Sequence, residues 1–112
     1  DKVEVKGSLE RYRDLIHIDD VTNALLLPLE QKTMQGVYNV SSGEKTTIKH
    51  LIDLILNIAN KTKAVKIEDI GGHHGDPHGV YGDNTKLVDC GWAPKTKLHS
   101  GLAQCWEALE NE

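Results

Sequence analysis

Hydrophobic positions recur with helical spacing in one long stretch of the chain. Apolar residues fall three and four positions apart on one face of a helix capped by Thr46 or Thr47. The stripe consists of Ile48, Leu51, Ile52, Ile55, Ile58 and Ala59. A shorter stripe of Leu102, Cys105, Trp106 and Leu109 follows Ser100, which can cap a final helix. The spacing therefore predicts two amphipathic helices, one central and one at the end.

Extended runs predict short strands in four places. These stretches are residues 1–6, 13–18, 37–40 and 64–68. In the first of them, Val3 and Val5 alternate with charged residues, which is typical of a strand with one buried face. The sequence contains no internal repeat. Short strands interleaved with helices predict an α/β fold, and the length of 112 residues fits a single domain.

Two further helices are predicted from capping residues. Asp19 or Asp20 can accept the free backbone N–H groups of a helix over residues 21–27. Pro28 disfavours helical geometry at the residue before it, so this helix is expected to kink or stop there. Asp83 can cap a second, shorter helix of one or two turns.

The stretch 72–83 differs from everything around it. It holds three of the six histidines and four of the ten glycines, and it has no apolar period. Such a composition predicts a surface loop that presents side chains, or else a solvated connector.

Composition excludes several classes of protein. The net charge is −4 and the basic residues are scattered, which argues against nucleic acid as a partner. No apolar run is long enough to span a membrane, so a soluble, cytoplasmic protein is expected. Cys90 and Cys105 are too few for a disulfide framework and are expected to be reduced thiols in the core.

Five motifs in order resemble one known family. They are RDLIHIDDV at 13–21, VYNVSSG at 37–43, GD at 75–76, DNTK at 83–86 and GWAP at 91–94. This succession resembles the C-terminal, substrate-binding part of the NAD-dependent epimerase/dehydratase family. These are the extended short-chain dehydrogenases/reductases, with UDP-galactose 4-epimerase as the familiar member. The resemblance covers nearly the whole chain.

The resemblance implies four substrate-binding residues. Arg13 matches the family arginine that holds the diphosphate of a nucleotide sugar, a role suited to a bidentate guanidinium. Asp76 matches an acid near the ribose. His73 stands where many members carry a second phosphate-binding arginine, and it is a weaker cation near neutral pH. Tyr81 falls near the position beside the base or sugar.

Each of these positions also has a structural interpretation. Arg13 could be an exposed residue at the start of a strand, and Asp76 could fix the turn before Pro77. Tyr81 could be a half-buried strand aromatic. His17 lies on an alternating run and is more typical of a core or interface histidine than of a catalyst. Gly91, Trp92 and Pro94 have structural roles by the same reasoning: helix stop, packing aromatic and turn.

Two signatures of the family reaction are missing from the sequence. No Gly-x-x-Gly-x-x-Gly turn, which receives the cofactor pyrophosphate at a helix N-terminus, is present. The catalytic Tyr-x-x-x-Lys pair is also missing. Residues 16, 42 and 85, which follow the three tyrosines at that spacing, are Ile, Ser and Thr. We therefore expect no catalytic residue here, and no cofactor bound by this chain alone, although the parent family uses NAD(P).

The resemblance also implies a domain arrangement. Residues 21–40 would pack on an N-terminal, nucleotide-binding Rossmann half that this chain lacks, and the remainder would form the substrate domain. The expected ligand is a nucleoside-diphosphate sugar, bound weakly or not at all. The expected protein partner is a second copy of the chain, or the missing cofactor domain. The chain alone is expected to be inactive.

Two alternatives belong to other classes of protein. The chain could be a stand-alone binding or oligomerisation module derived from the family. His73, His74, His78 and Asp76 could instead ligate zinc, copper or nickel. Adjacent histidines on a Gly- and Pro-containing loop are not preorganised, however, and no recognised zinc-ligand spacing is present, so no metal site is predicted.

Overall fold

The computed structural model describes residues 1–72 and 77–112. In chain order its elements are β1 (Lys2–Val5), β2 (Tyr12–Arg13), α1 (Ile18–Glu30), β3 (Thr46–Thr47), α2 (Ile48–Ile58), β4 (Lys66–Asp69), α3 (Thr85–Val88) and α4 (Leu98–Glu110). This mixture of helices and short strands confirms the predicted α/β class.

The described strands form two small sheets. β1 pairs in parallel with β4, so that Val3 lies opposite Ile67. Parallel neighbours need a long crossover connection, and the chain that carries α2 provides it. β2 pairs antiparallel with β3, with Tyr12 opposite Thr47. The strands predicted over residues 1–6 and 64–68 are therefore confirmed, with slightly different ends.

The run predicted over residues 13–18 forms a strand only at its start. α1 begins earlier than predicted, at Ile18, and its N-cap is His17 rather than either aspartate. The His17 Nδ1 atom accepts the backbone N–H of Asp19 at 3.1 Å. His17 thus has a structural role, but as a helix cap and not as the strand histidine that the alternating run indicated. The helix passes through Pro28 and ends two residues later.

The strand predicted over residues 37–40 is wrong. This stretch pairs with no strand among the described residues, although its sequence has strand character. Tyr38 and Val40 are instead partly buried against the apolar core. Val37 is 83% exposed. The Val37 carbonyl accepts a hydrogen bond from the Lys86 Nζ atom at 2.8 Å. An apolar run without a neighbouring strand to bond cannot become part of a sheet.

The two amphipathic helices are confirmed, but only one predicted cap is correct. Thr47 caps α2, because its hydroxyl accepts the backbone N–H of His50 at 3.1 Å. Lys97 occupies the N-cap position of α4 without a capping bond from its side chain, and Ser100 lies inside the first turn, not before it. No helix in the described ranges is long and apolar enough to cross a membrane.

Asp83 and Gly91 bound α3 much as predicted. Asp83 accepts the Thr85 backbone N–H at 3.0 Å, although the residue at the N-cap position itself is Asn84. The chain leaves the helix through Gly91, whose φ of 96° lies in the left-handed region that favours glycine.

A buried aspartate organises the main apolar cluster. Ala24, Leu87 and Trp92 form this cluster, and Asp20 is only 2% exposed beside it. The Asp20 carboxylate accepts the backbone N–H groups of Lys95 and Thr96, each at 3.0 Å. Trp92, a packing aromatic as predicted, donates its indole N–H to the Asp20 carbonyl at 3.0 Å. Asp20 therefore joins α1 to the segment that leads into α4.

The cysteine prediction was partly wrong. Cys90 is half-buried, whereas Cys105 is exposed, and both are free thiols. Cys105 lies on an open apolar groove between α2 and α4, a cleft of about 430 Å³. No residue of α2 is buried, so the two helices face each other without closing a core.

Replacing Asp20 tests its joining role. We expect Asp20→Ala to lower the free energy of unfolding by about 2–3 kcal/mol, because two backbone N–H groups lose a charged acceptor. Chemical denaturation followed by circular dichroism measures the change. The control is Asp19→Ala, whose exposed carboxylate is expected to contribute less than about 1 kcal/mol. Equal losses in the two variants would contradict the role of Asp20.

Candidate functional site

The candidate site is built on β2 and the segment that runs beside it. The Tyr12 backbone N–H donates to the His78 carbonyl at 3.1 Å, and the Val80 N–H donates to the Tyr12 carbonyl at 3.3 Å. These two bonds form an isolated parallel bridge between Tyr12 and Gly79. The Tyr12 ring occupies the space that a Cβ atom on Gly79 would need, so a glycine is required there. The segment 77–81 is thereby fixed against β2.

Arg13 holds the other edge of this segment. Its Nη1 atom donates to the Tyr12 carbonyl at 2.8 Å and to the Pro77 carbonyl at 3.3 Å. The residue is half-buried. The side chain predicted to bind a diphosphate therefore lies next to the stretch of chain predicted to form the substrate loop.

A cluster of three rings and one cation covers the neighbouring surface. The Tyr12 ring meets the His78 ring edge-on at 5.9 Å and the Tyr81 ring at 6.4 Å with a 60° tilt. The Lys45 Nζ atom lies 4.9 Å from the centre of the Tyr12 ring and 4.7 Å from that of Tyr81. Aromatic faces beside an ammonium group suit a planar or sugar ring that carries negative charge nearby.

Asp14, the residue after Arg13, fixes two loops beside this cluster. One carboxylate oxygen accepts the backbone N–H of Ser42 at 2.8 Å and its hydroxyl at 2.6 Å. The other accepts the N–H groups of Gly43 at 2.9 Å and Gly82 at 3.0 Å. Burial alone would raise the pKa of Asp14, but the hydrogen bonds from Ser42, Gly82 and Gly43 outweigh burial and lower this pKa.

A polar cleft of about 480 Å³ opens next to the cluster. It is lined by Gly43, Tyr81, Gly82, Asp83, Asn84 and Thr85. The hydrogen bonds that Thr85 donates from its hydroxyl and its backbone N–H lower the pKa of Asp83. The cleft therefore presents a carboxylate, an amide and a phenol, groups that can bond sugar hydroxyls.

The structure places two of the four predicted site residues. Both Arg13 and Tyr81 contact Tyr12. Arg13 donates a hydrogen bond to the Tyr12 carbonyl, and the Tyr81 ring packs near the Tyr12 ring. His73 and Asp76 lie outside the described residues. His17 takes no part in this site, because its ring caps α1.

Sequence reasoning missed three residues of this region, Tyr12, Asp14 and Lys45. It considered His78 only as a metal ligand. Tyr12 and Asp14 flank Arg13 directly, and that adjacency was the one available signal. Lys45 lies far from them in sequence and reaches the rings only because β3 pairs with β2.

The metal alternative gains no support from the described residues. Among them, no group of three or more His, Cys, Asp or Glu side chains could hold a metal ion. Three of the four candidate ligands, His73, His74 and Asp76, fall outside the described ranges.

Comparisons with known proteins point to sugar-nucleotide enzymes. The chain is 35% identical over 112 residues to putative GDP-L-fucose synthase 2 of Arabidopsis thaliana, covering 99% of this chain and 34% of that protein. It is 31% identical over 101 residues to dTDP-4-dehydro-6-deoxyglucose reductase of Escherichia coli, covering 89% of this chain and 31% of that protein. No family model matches the chain.

Solved structures agree with these relatives. UDP-glucose 4-epimerase of Thermotoga maritima with UDP-glucose superposes with a TM-score of 0.82 at 30% identity, over 99% of this chain and 35% of that one. RMD of Pseudomonas aeruginosa complexed with NADPH gives 0.81 at 28%, over 99% of this chain and 36% of that one. The chain thus spans about a third of the length of the proteins it matches. With the motif order and the fold in agreement, the chain belongs to the NAD-dependent epimerase/dehydratase family, of which it represents a C-terminal part.

Proposed function

We propose that this chain is the nucleoside-diphosphate-sugar-binding part of a sugar-nucleotide epimerase, dehydratase or reductase. The observation that carries the proposal is the convergence of Arg13 and the Tyr12–Tyr81–Lys45 cluster on one short segment, residues 77–81. Relatives across the comparisons are enzymes of these three kinds. The alternative, a stand-alone binding or oligomerisation module, uses the same fold without the parent reaction.

The proposal gives each side chain a role. The Arg13 guanidinium binds the diphosphate, because its planar fork matches two phosphate oxygens. Tyr81, with Tyr12 behind it, provides a surface for the base or the sugar, and Lys45 adds positive charge above both rings. By resemblance, Asp76 contacts the ribose. His73 gives the diphosphate a weaker cation than the arginine many members have there.

The cofactor of the parent reaction does not fit this chain. NAD(P) supplies and accepts the hydride in such enzymes and needs a Gly-rich turn between a strand and a helix. The sequence holds no such turn. α1 follows β2 and begins at Ile18, and α2 follows β3 and begins at Ile48, and neither connection contains a Gly-rich turn. The residues present bind and orient a substrate, while the groups that move hydride and protons belong to a part of the enzyme beyond this chain.

A second observation favours a protein partner. Leu25, Leu26, Leu29 and Val37 are 70%, 51%, 74% and 83% exposed, and they belong to the stretch 21–40 that the family resemblance places against a cofactor domain. The radius of gyration is 16.9 Å, against about 13 Å for a compact domain of this length. Val40 does not belong to this surface, because it packs on the core.

We infer that a second copy covers this surface when no cofactor domain is present. At about 25 cal/mol per Å², a few hundred Å² of apolar surface left in water costs several kcal/mol, a large share of the stability of a small domain. Isologous packing of α1 against its copy removes that surface from water.

Substituting Arg13 tests the proposed substrate site. Titration calorimetry with UDP-glucose, dTDP-glucose and GDP-L-fucose finds the preferred ligand. We expect Arg13→Ala to weaken its binding by about 1.5–3 kcal/mol, which is about 10- to 150-fold. Arg13→Lys is expected to recover only part of the loss, because an ammonium lacks the bidentate fork.

Two controls accompany this experiment. Lys49→Ala is the control variant, since it removes a cation whose ammonium group pairs with Asp53 on α2. NAD(H) is the control ligand, and it is expected not to bind. Equal affinity in the parent and Arg13→Ala would remove Arg13 from the site.

Sedimentation tests the proposed partner surface. We expect the chain to be a dimer at micromolar concentration, and the Leu25→Asp, Leu29→Asp double variant to be monomeric because two charges would enter the contact. Leu109→Asp, an equally apolar and exposed position on α4, is expected to leave the dimer intact. A stable monomer of the parent chain would refute the inference.

A further inference from the structure

Asp14 connects three segments that are far apart in the sequence. Its carboxylate lies at the end of β2 and accepts four hydrogen bonds, three from backbone N–H groups and one from a hydroxyl. Three of the donors belong to the turn at residues 42–43, and the fourth is the Gly82 N–H. Water can satisfy the hydrogen-bonding capacity of an exposed carboxylate. The half-buried Asp14 carboxylate is satisfied by protein donors instead.

The two segments that Asp14 joins also contact each other directly. The Ser41 side chain fills the space that a Cβ atom on Gly82 would occupy. The Asn84 Nδ2 atom donates to the Ser41 carbonyl at 2.8 Å. Any movement of residues 80–83 therefore also disturbs their direct contact with the turn 41–43.

Each joined segment carries a member of the ring cluster. Tyr81 is the residue before Gly82, and Lys45 follows the turn 41–43 by two residues. Tyr12 and Arg13 precede Asp14 on the same strand. The carboxylate thus holds Tyr81 and Lys45 near Tyr12 and Arg13, together with the backbone pairing of β2 with β3 and with Gly79.

We propose that Asp14 is a positioning residue of the substrate site, acting by holding Tyr81 and Lys45 in place rather than by touching the ligand. This inference rests on the proposed nucleotide-sugar function. The carboxylate is required because it offers two acceptor oxygens to four donors. An asparagine offers one oxygen, and its NH₂ group would face either the two donors of Ser42 or the N–H groups of Gly43 and Gly82.

Asp14→Asn therefore removes at least one of these bonds and loosens the loops, while it preserves the size of the side chain. We expect nuclear Overhauser contacts between the Tyr12 and Tyr81 rings in the parent chain and their loss in Asp14→Asn. The Trp92 indole resonance, whose N–H bonds to the Asp20 carbonyl, reports that the remaining fold is intact. Ser42→Ala, which removes only the hydroxyl bond, provides a milder variant should Asp14→Asn fail to fold, and is expected to weaken the same ring contacts.

Ligand affinity distinguishes positioning from a general structural role. Binding of the preferred nucleotide sugar is expected to weaken about tenfold in Asp14→Asn, because the loosened loops must be ordered again on binding. The matched control is Asp20→Asn, since Asp20 also joins two segments through backbone N–H groups but lies outside the site. It is expected to lower the melting temperature without changing affinity or the contact between the tyrosine rings.

Two results would overturn the inference. One is an unchanged Tyr12–Tyr81 contact in Asp14→Asn, and the other is an equal loss of affinity in Asp14→Asn and Asp20→Asn. Failure of the parent chain to bind any of the three nucleotide sugars would instead refute the proposed function. The ring contact would still decide in that case whether Asp14 holds the loops.

Discussion

Hydrogen bonds from backbone N–H groups to two aspartate carboxylates hold together segments that lie far apart in the sequence, in a structure with a small apolar core. Four apolar side chains are buried among the described residues: Val5, Ala24, Leu87 and Trp92. Asp20 joins α1 to residues 95–96, and Asp14 joins β2 to the turn 41–43 and to Gly82. Each hydrogen bond to a charged acceptor contributes about 1.5–3 kcal/mol, so a few of them matter greatly in so open a structure.

The same kind of bond organises the region around β2. Arg13 and Asp14 are neighbours at the end of β2, where Arg13 donates to the Tyr12 and Pro77 carbonyls and Asp14 holds Gly43 and Gly82. The sequence contains neither the Gly-rich turn nor the Tyr-x-x-x-Lys pair of the family reaction. The roles proposed for this chain therefore concern substrate binding, and the exposed apolar face of α1 is the surface proposed to meet a partner.

Sequence patterns predicted local structure better than long-range connections. The stripe of α2, the Thr47 cap and the φ-positive Gly91 follow from interactions within a few residues, and all three were predicted. The strand at 37–40 failed because a strand requires a partner, and none of the described strands lies beside it. The role of Asp14 was missed for a related reason, because its bonds depend on backbone groups that lie 28 to 68 residues away. The capping role of His17 was a local miss, since its bond is to Asp19 and the two aspartates were the expected caps. Arg13 and Tyr81 were proposed as site residues from family resemblance, not from periodicity.

The dependence of stability on pH tests the role of the Asp14 carboxylate most directly. The pKa of Asp14 is lower in the folded chain than the ordinary value of 3.8, so its stabilising contribution is complete above that value and is lost as the pH falls through the folded pKa. We predict that the free energy of unfolding decreases as the solution is acidified from about pH 5. In Asp14→Asn, which has no carboxylate to protonate at this position, the free energy of unfolding is predicted to decrease less steeply with falling pH. Identical slopes in the two proteins would contradict the claim that this carboxylate holds the loops of the site.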